Sequence, residues 1–598
     1  MISVTNHPDG ATILANETPL GAYPRVLTER LVQGATAHPD RLFLAERQGD
    51  DWRRVTWAEA WIAVQAIGQA LIDHGVGAER PLLLLSPGSV DHALLALAAT
   101  HVGAVYAPVS PAYATQDQSG DKLGHVLDLL TPGLVWAEDM SALPIATASL
   151  AERGIAVLSS AAGDVARLRE TPVSDAVEQA HAAIAPDDIR SFIFTSGTSG
   201  RPKAVINTHR MTCANQQMFL QAFPRFAETP PELLSWLPWH HTSGANSILG
   251  SVVYTGGTLW IDDGRPTPGR GMAATVRNLA ELSPTAYFSA PAGFRLLAQA
   301  LRDDPDLRAT FLKRLAFFFY SGASLPGPVA QELDAVTSMD GGDPVPFHSC
   351  YGATETAPFT IALDRTDTTP GLVGLPMPGV TVKLAPSDGL TEVRAKGDCV
   401  TPGYWRNPQA TADAFDNDGF YRYGDALRLA DPHDPSRGLV FDGRFGENFK
   451  LATGTWVNAA GLRERILAAS GALLSDVVIA GEGRDSVGAL LFPTPDALAG
   501  GARALRDRVA PILTGLAQAG TGSSTFAAQA LLLTTPPDPT QGEVTDKGSV
   551  SARTILTTRA AAVERLFTGD PDDTLWRHDA GGGKGLRTQP LDSHSAKT

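Results

Sequence analysis

The stretch Ser191-Phe-Ile-Phe-Thr-Ser-Gly-Thr-Ser-Gly-Arg-Pro-Lys203 constrains the chain most. Ser191 to Phe194 is apolar and β-prone enough to form a buried strand. Thr195, Ser196, Gly197, Thr198, Ser199 and Gly200 are then all small, hydroxylated or glycine, and Lys203 closes the run. Such a loop can turn several backbone N–H groups and hydroxyls onto one anion, because glycine reaches backbone angles closed to other residues. A lysine at its end adds a point charge suited to phosphate. The spacing is not that of a Walker loop, Gly-x4-Gly-Lys-Ser/Thr, since Pro202 stands five positions after Gly197. A Ser/Gly run after a strand also describes a plain turn, so the rest of the chain must decide between cradle and turn.

The flanking sequence alternates helix and strand patterns. Val26 to Ala37 reads as an amphipathic helix. Thr56-Trp-Ala-Glu59 is a capping box, followed by apolar residues at helical spacing. The strand Pro81 to Leu85, a helix from about Val90 and the strand Ala104 to Val109 suggest a parallel βαβ unit. Another unit follows, with a helix over Leu123 to Leu130 and a strand over Leu134 to Ala137. Ala204 to Asn207 reads as the return strand of a hairpin. Leu234 to His241 reads as a strand running into a turn. Val380 to Val400 shifts to short alternating strands with Gly and Asp turns, a small β-rich subdomain. The expected fold is therefore α/β: a large N-terminal domain of βα-layered sheets with that subdomain, over residues 1–445, and a small mobile α+β C-terminal domain over 446–568. A flexible polar tail spans 569–598. Gly581-Gly-Gly-Lys584 follows no strand and reads as tail rather than as a second phosphate loop.

Bulk composition excludes some function classes. A net charge of −16 argues against a nucleic-acid-binding surface. The three cysteines, Cys213, Cys350 and Cys399, are widely spaced and form no CxxC, which fits a reducing, cytoplasmic compartment rather than a disulfide framework or zinc site. The start lacks a basic-then-apolar signal. The apolar segment Ala93 to Val109 is interrupted by Thr100, His101 and Pro108, so no membrane span is expected.

Further constellations carry chemistry. Tyr351-Gly-Ala-Thr-Glu-Thr356 sets an aromatic ring, a glycine, two hydroxyls and a carboxylate together, groups that can stack on a purine, meet a phosphate and hold magnesium through hard oxygen. Ser321-Gly-Ala-Ser-Leu-Pro326 follows an apolar run. Tyr421-Arg-Tyr-Gly-Asp425 ends in a carboxylate suited to a diol. Phe441-Asp-Gly-Arg-Phe-Gly-Glu-Asn-Phe-Lys450 and Gly542-Glu-Val-Thr-Asp-Lys-Gly548 each carry a cation near glycines. Each alone is also what an ordinary turn looks like. In Leu237-Pro-Trp-His-His-Thr-Ser-Gly244 a zinc reading of His240-His241 is disfavoured, because neighbours on a strand point to opposite faces; a structural histidine is the stronger rival.

Taken together, these strings resemble the acyl-adenylate-forming superfamily, which holds acyl-CoA synthetases, peptide-synthetase adenylation domains and firefly-type luciferases. The stretches Tyr106-Ala-Pro-Val-Ser-Pro-Ala-Tyr113, Asn448 to Asn458 and Glu543 to Lys547 are most similar to feruloyl-CoA synthases. The resemblance spans about Asp9 to Phe567. It implies an ATP-dependent ligase that converts a hydroxycinnamic acid (ferulate, p-coumarate or caffeate) to its CoA thioester through an acyl-adenylate, using ATP, Mg2+ and coenzyme A. By the same resemblance, Thr195, Ser196, Gly197, Thr198, Ser199, Gly200 and Lys203 bind the phosphates. Gly322, Ala323, Ser324, Tyr351 and Gly352 contact the nucleotide, and Thr354 meets the α-phosphate. Glu355 holds magnesium, and Asp425 and Arg444 hold the ribose or phosphate. His241 belongs to the acid site, Gly446 falls at the interdomain hinge, Gly454 lies on the CoA tunnel and Lys547 is the catalytic lysine. The family usually has threonine where Tyr423 stands and Asp or Lys at the hinge, so the hinge is open by one position. A fatty- or benzoic-acid ligase and a non-catalytic ATP-binding relative are the competing readings.

Overall fold

A computed structural model describes residues 1–578 except 116–119, 197–200, 265, 267–270, 324, 366–370, 388, 546–549 and 570–571. The chain forms two compact units. One comprises Met1–Glu447 with Asp538–Ser551, and the other Asn448–Pro537 with Ala552 onward.

In the larger unit, a six-stranded sheet runs in the order Pro202–Thr208, Ile189–Ser196, Tyr106–Pro108, Leu82–Leu84, Leu134–Ala137, Ala156–Ser159. Its inner strands pair in parallel, as the βαβ patterns predict. The helix Val90–His101 connects two of them and is buried at every residue, because apolar residues occupy almost its whole circumference rather than one stripe. The helix Trp57–Asp73 begins with the expected capping box: Thr56 accepts from the Glu59 backbone N–H and Glu59 accepts from that of Thr56. The strand Ile189–Ser196, which leads into the predicted phosphate loop, pairs antiparallel with Pro202–Thr208, in the predicted hairpin.

The second sheet has eleven strands. Three of them, Ala286–Ser289, Phe317–Ser321 and Phe347–Gly352, run parallel at one end, with an aromatic core of Phe288, Phe317, Phe318 and Phe319. The sheet continues through antiparallel strands to Tyr421–Leu429, Leu390–Lys396, Thr381–Ser387 and the N-terminal hairpin Ile2–Asn6/Thr12–Asn16. The β-rich region expected near residue 380 is thus continuous with this sheet. Lys383, 1% exposed along its side chain, fixes that end: its ammonium lies 2.7 Å from Asp9 and 2.8 Å from Asp418. A four-stranded sheet of Glu232–Ser235, Thr258–Ile261, Leu42–Gln48 and Asp51–Thr56 completes the unit.

The smaller unit has its own four-stranded sheet, Leu474–Ala480, Gly488–Pro493, Gln529–Leu532 and Leu575–Arg577. The helices Ala459–Ser470 and Ala502–Gln518 close its core. The three cysteines are free and buried. No helix among the described residues is long and apolar enough to cross a membrane.

Candidate active site

Lys203 stands opposite Thr195 in the phosphate-loop hairpin. Its ammonium lies 4.4 Å from the centroid of the Tyr404 ring, a cation–π contact. The Tyr404 hydroxyl donates to Glu355 Oε1 at 2.8 Å, and both residues are buried. One tyrosine therefore spans the predicted phosphate lysine and the predicted metal carboxylate. The segment around it is fastened on both sides. The Thr401 N–H donates to the Glu355 carbonyl at 2.8 Å, the Thr401 hydroxyl donates to the Ile206 carbonyl at 2.7 Å, and the Trp405 N–H donates to the Ala204 carbonyl at 2.9 Å. Among the described residues, Tyr404 provides the only hydrogen bond to the Glu355 carboxylate. The remaining lone pairs fit a hard cation such as magnesium.

Glu355 lies in the one-turn helix Thr354–Thr356, directly after the strand Phe347–Gly352. Gly352 is required there, since a Cβ would sit 1.8 Å from the Pro358 carbonyl oxygen as the chain doubles back. Asn215 donates to the Phe359 carbonyl at 2.7 Å and holds the return. Thr354 opens this turn, half-buried.

A second group gathers at Asp425. Tyr351 donates to its Oδ2 at 2.8 Å, and Arg444 Nε lies 3.2 Å from Oδ1. Burial raises the Asp425 carboxyl above its ordinary value, partly offset by Arg444 and by the Tyr351 hydrogen bond. Burial first, then the Asp425 charge, pushes the Tyr351 phenol well above the usual range. Each carboxylate oxygen keeps a lone pair, so this corner can accept from two vicinal hydroxyls. Tyr423, which stands where threonine is expected, shares a 2.6 Å hydrogen bond with Thr360.

A cleft opens at the C-terminal ends of the parallel strands Ala286–Ser289 and Phe317–Ser321, where open α/β sheets bind ligands. Phe288, Phe319, Leu237, Ser243, Ser247 and Ser289 are among its walls, with Ser321, Gly322 and Ala323 at its edge. The predicted nucleotide segment and the turn after His241 thus border one space. Gly244 is needed in that turn, because a Cβ would lie 2.3 Å from the Pro238 carbonyl oxygen. Gly244 belongs to a π-helix, Ser243–Leu249, a form frequent at functional sites. His240 and His241 lie in the turn beyond the strand Glu232–Ser235, with ring centroids 4.5 Å apart. The expectation that strand alternation points them to opposite faces therefore fails. Among the described residues, the one cluster of three potential metal ligands is instead His7, Asp9 and Asp418, and the Lys383 ammonium already binds its two carboxylates.

Gly197, Thr198, Ser199, Gly200, Ser324, Lys547 and the stretch 579–598 lie outside the described residues, as does the side chain of Ser196. Gly446 has open space where a Cβ would stand. Gly454 occupies the turn between Phe449–Lys450 and Trp456–Val457 at φ +80°. Tyr404 escaped the sequence reading. Its partners lie 49 and 201 positions away, and only the Pro-Gly-Tyr-Trp string around it marks a turn.

A family profile of AMP-binding enzymes matches residues 31–405, and one of the AMP-binding enzyme C-terminal domain matches 448–570. The chain belongs to the AMP-binding enzyme family. This AMP-binding enzyme is 26% identical over 499 residues to the long-chain-fatty-acid–CoA ligase FadD15 of Mycobacterium bovis, covering 75% of this chain and 79% of that one. It is 26% identical over 445 residues to the 3-hydroxybenzoate–CoA ligase of Aromatoleum sp., covering 72% and 79%. A match to the probable CoA ligase CCL8 of Humulus lupulus, 28% identical, covers 40% of each chain. In fold it is similar to ATP-bound MatB from Rhodopseudomonas palustris, with a TM-score of 0.67 at 20% identity, covering 91% of this chain and all of that one. It is also similar to the adenylation domain of carboxylic acid reductase from Segniliparus rugosus, with a TM-score of 0.70 at 20% identity and 91% and 94% coverage.

Proposed function

We propose that this AMP-binding enzyme is an ATP-dependent acid–CoA ligase whose acid is a hydroxycinnamic acid such as ferulate, p-coumarate or caffeate. In the first half-reaction the carboxylate oxygen attacks the α-phosphorus of ATP, giving acyl-adenylate and pyrophosphate. In the second the CoA thiol attacks the acyl carbon and AMP leaves. Lys203 and the loop before it hold the phosphates, Asp425 and Arg444 hold the ribose, and Glu355 with Tyr404 behind it holds Mg2+, which would neutralise phosphate charge. Lys547 is assigned to bridge the carboxylate and the α-phosphate, where negative charge builds. Rotation near Gly446 would then admit the thiol past Gly454.

The cleft carries the choice of acid. It is walled by aromatic rings and serine hydroxyls, and among the described residues none of its lining side chains is charged. A second carboxylate there would lack a counter-ion at considerable desolvation cost, which disfavours dicarboxylates. A flat ring with polar substituents suits the Phe288 and Phe319 faces and the neighbouring hydroxyls. The likeness to a 3-hydroxybenzoate–CoA ligase supports an aryl acid, while the likeness to a long-chain-fatty-acid–CoA ligase keeps fatty acids as the second reading. The test is product analysis with Mg-ATP and CoA on ferulate, decanoate and benzoate in parallel. Feruloyl-CoA with AMP, and little product from the others, is the expected result. Thioester from decanoate alone would overturn the choice of acid, and AMP from none of a broad acid panel would overturn the ligase.

A further inference from the structure

Behind the cleft lies a polar network that the nucleotide groups do not use. Arg190, 3% exposed, sits at the start of the phosphate-loop strand. Its guanidinium donates to Asn246 Oδ1 at 2.9 Å, to the Thr212 hydroxyl at 3.0 Å and to the Tyr106 hydroxyl at 2.6 Å. Among the described residues it makes no ion pair. A cation buried against neutral acceptors alone carries a large desolvation penalty, and it is a poor choice if the position only needs filling. What it supplies is a rigid fork of donors.

Asn246 is where that fork acts. It is fully buried on the π-helix, and its Nδ2 donates to Asn207 Oδ1 at 3.0 Å and to the Thr242 hydroxyl at 3.1 Å. Gln216 donates to its backbone carbonyl at 2.7 Å. Both members of the phosphate-loop hairpin, through Arg190 and Asn207, therefore grip one residue of the π-helix. Ser243 and Ser247, on either side of Asn246 in that helix, line the cleft. Thr242 follows His241 directly.

We propose that Arg190 and Asn246 are positioning residues for the acid, setting the π-helix wall of the cleft in register with the phosphate-loop hairpin. The inference rests on the reading of this cleft as the acid site. Neither residue is among those lining the cleft. Their effect is on where the Ser243–Ser247 wall stands, and a misplacement of about 1 Å can cost about a hundredfold in a positioned reaction.

The test uses the full chain in ATP–pyrophosphate exchange, which reads adenylation alone, with whichever acid the wild type accepts. Asn246→Ala is expected to raise the KM for the acid at least about tenfold while the KM for ATP stays within about twofold. Arg190→Lys keeps the charge and loses the fork, and the same acid-selective rise is expected. Tyr106→Phe removes a hydrogen bond to Arg190 without touching the π-helix. It is expected to lower Tm and leave both KM values unchanged. Equal rises in both KM values for Asn246→Ala, or a loss of Tm with neither KM moved, would overturn the proposal. Wild-type behaviour of Arg190→Lys would overturn the role given to the fork. If the wild type rejects hydroxycinnamates, the choice of acid fails separately, and the KM split is read on the accepted acid.

Discussion

Removing the Tyr404 hydroxyl tests whether the bridge between Lys203 and Glu355 serves the chemistry. Tyr404→Phe keeps the ring beneath the Lys203 ammonium and deletes the hydroxyl, which donates to Glu355 Oε1 at 2.8 Å and also shares a hydrogen bond with Tyr421. A hydrogen bond to a charged partner contributes about 1.5–3 kcal/mol. At about 1.4 kcal/mol per decade, that is a loss of about 10- to 150-fold in whatever Glu355 holds. Loss of a residue that orients a metal ligand costs about 10- to 100-fold in metal affinity, which is the same range. The assay is ATP–pyrophosphate exchange titrated with Mg2+ at saturating ATP and acid. The half-saturating Mg2+ concentration should rise into that range while the plateau rate recovers most of the wild-type value. Tyr404→Leu also removes the cation–π contact, adding about 0.5–2 kcal/mol. It should therefore also raise the KM for ATP, by about 2- to 30-fold. A Tyr404→Phe titration that superimposes on the wild type would refute the argument, as would a lower plateau with an unshifted midpoint.

Other perturbations address separate parts of the molecule. Asp425→Asn keeps the shape of the corner with Tyr351 and Arg444 but removes its charge, and should raise the KM for ATP at least about tenfold without moving the Mg2+ midpoint. Lys547→Ala should slow adenylation by at least about a hundredfold and spare thioester formation from pre-made acyl-adenylate; equal loss in both steps would remove its assigned role. Gly352→Ala drives a methyl to within 1.8 Å of the Pro358 carbonyl oxygen and should lower Tm clearly, whereas Gly446→Ala meets open space and should leave Tm unchanged. Burial lowers His101 and His209 from the ordinary 6.5 to about 3, and His92 to about 4. Because these folded values lie below the unfolded one, the unfolded chain takes up protons first as pH falls. Their stabilisation is present above pH 6.5 and is lost below it, by about 1.4 kcal/mol per pH unit for each histidine. Chemical denaturation between pH 7.5 and 5 should show this slope, and His209→Leu should reduce it by one histidine's share.

How much of this was legible in the sequence depends on how local each cause is. The capping box at Thr56, the hairpin around Lys203 and the strand over Leu134 to Ala137 are each set by a few neighbouring residues, and the structure bears each of them out. The pairing of Tyr351 with Asp425 and Arg444 was anticipated only as separate strings. Their meeting depends on the order of strands in the eleven-stranded sheet, which hydrophobic alternation does not encode. Tyr404 was invisible for a related reason: nothing in Thr401-Pro-Gly-Tyr-Trp405 names the hairpin edge it will add to. The His240-His241 pair is the opposite case: the strand period stops at Ser235, and both histidines lie in the turn beyond it.

Arg190 brings out why such residues resist sequence reading. In the string Asp-Asp-Ile-Arg-Ser-Phe it looks like a charged residue at the solvent edge of a strand, where arginine is ordinarily found. Only the fold shows that the strand enters the core one residue earlier than its apolar run suggests, so that the guanidinium is buried among Tyr106, Thr212 and Asn246. The motif residues of an adenylating site advertise themselves because phosphate, ribose and metal demand particular atoms at short range. The residues that hold those atoms in register answer to the packing of distant elements. They are buried and of common types, so they leave no spacing to recognise. A functional account of this enzyme built from motifs alone would therefore contain Lys203 and Glu355 but neither Tyr404, which spans them, nor Asn246, through which the phosphate-loop hairpin reaches the wall of the cleft.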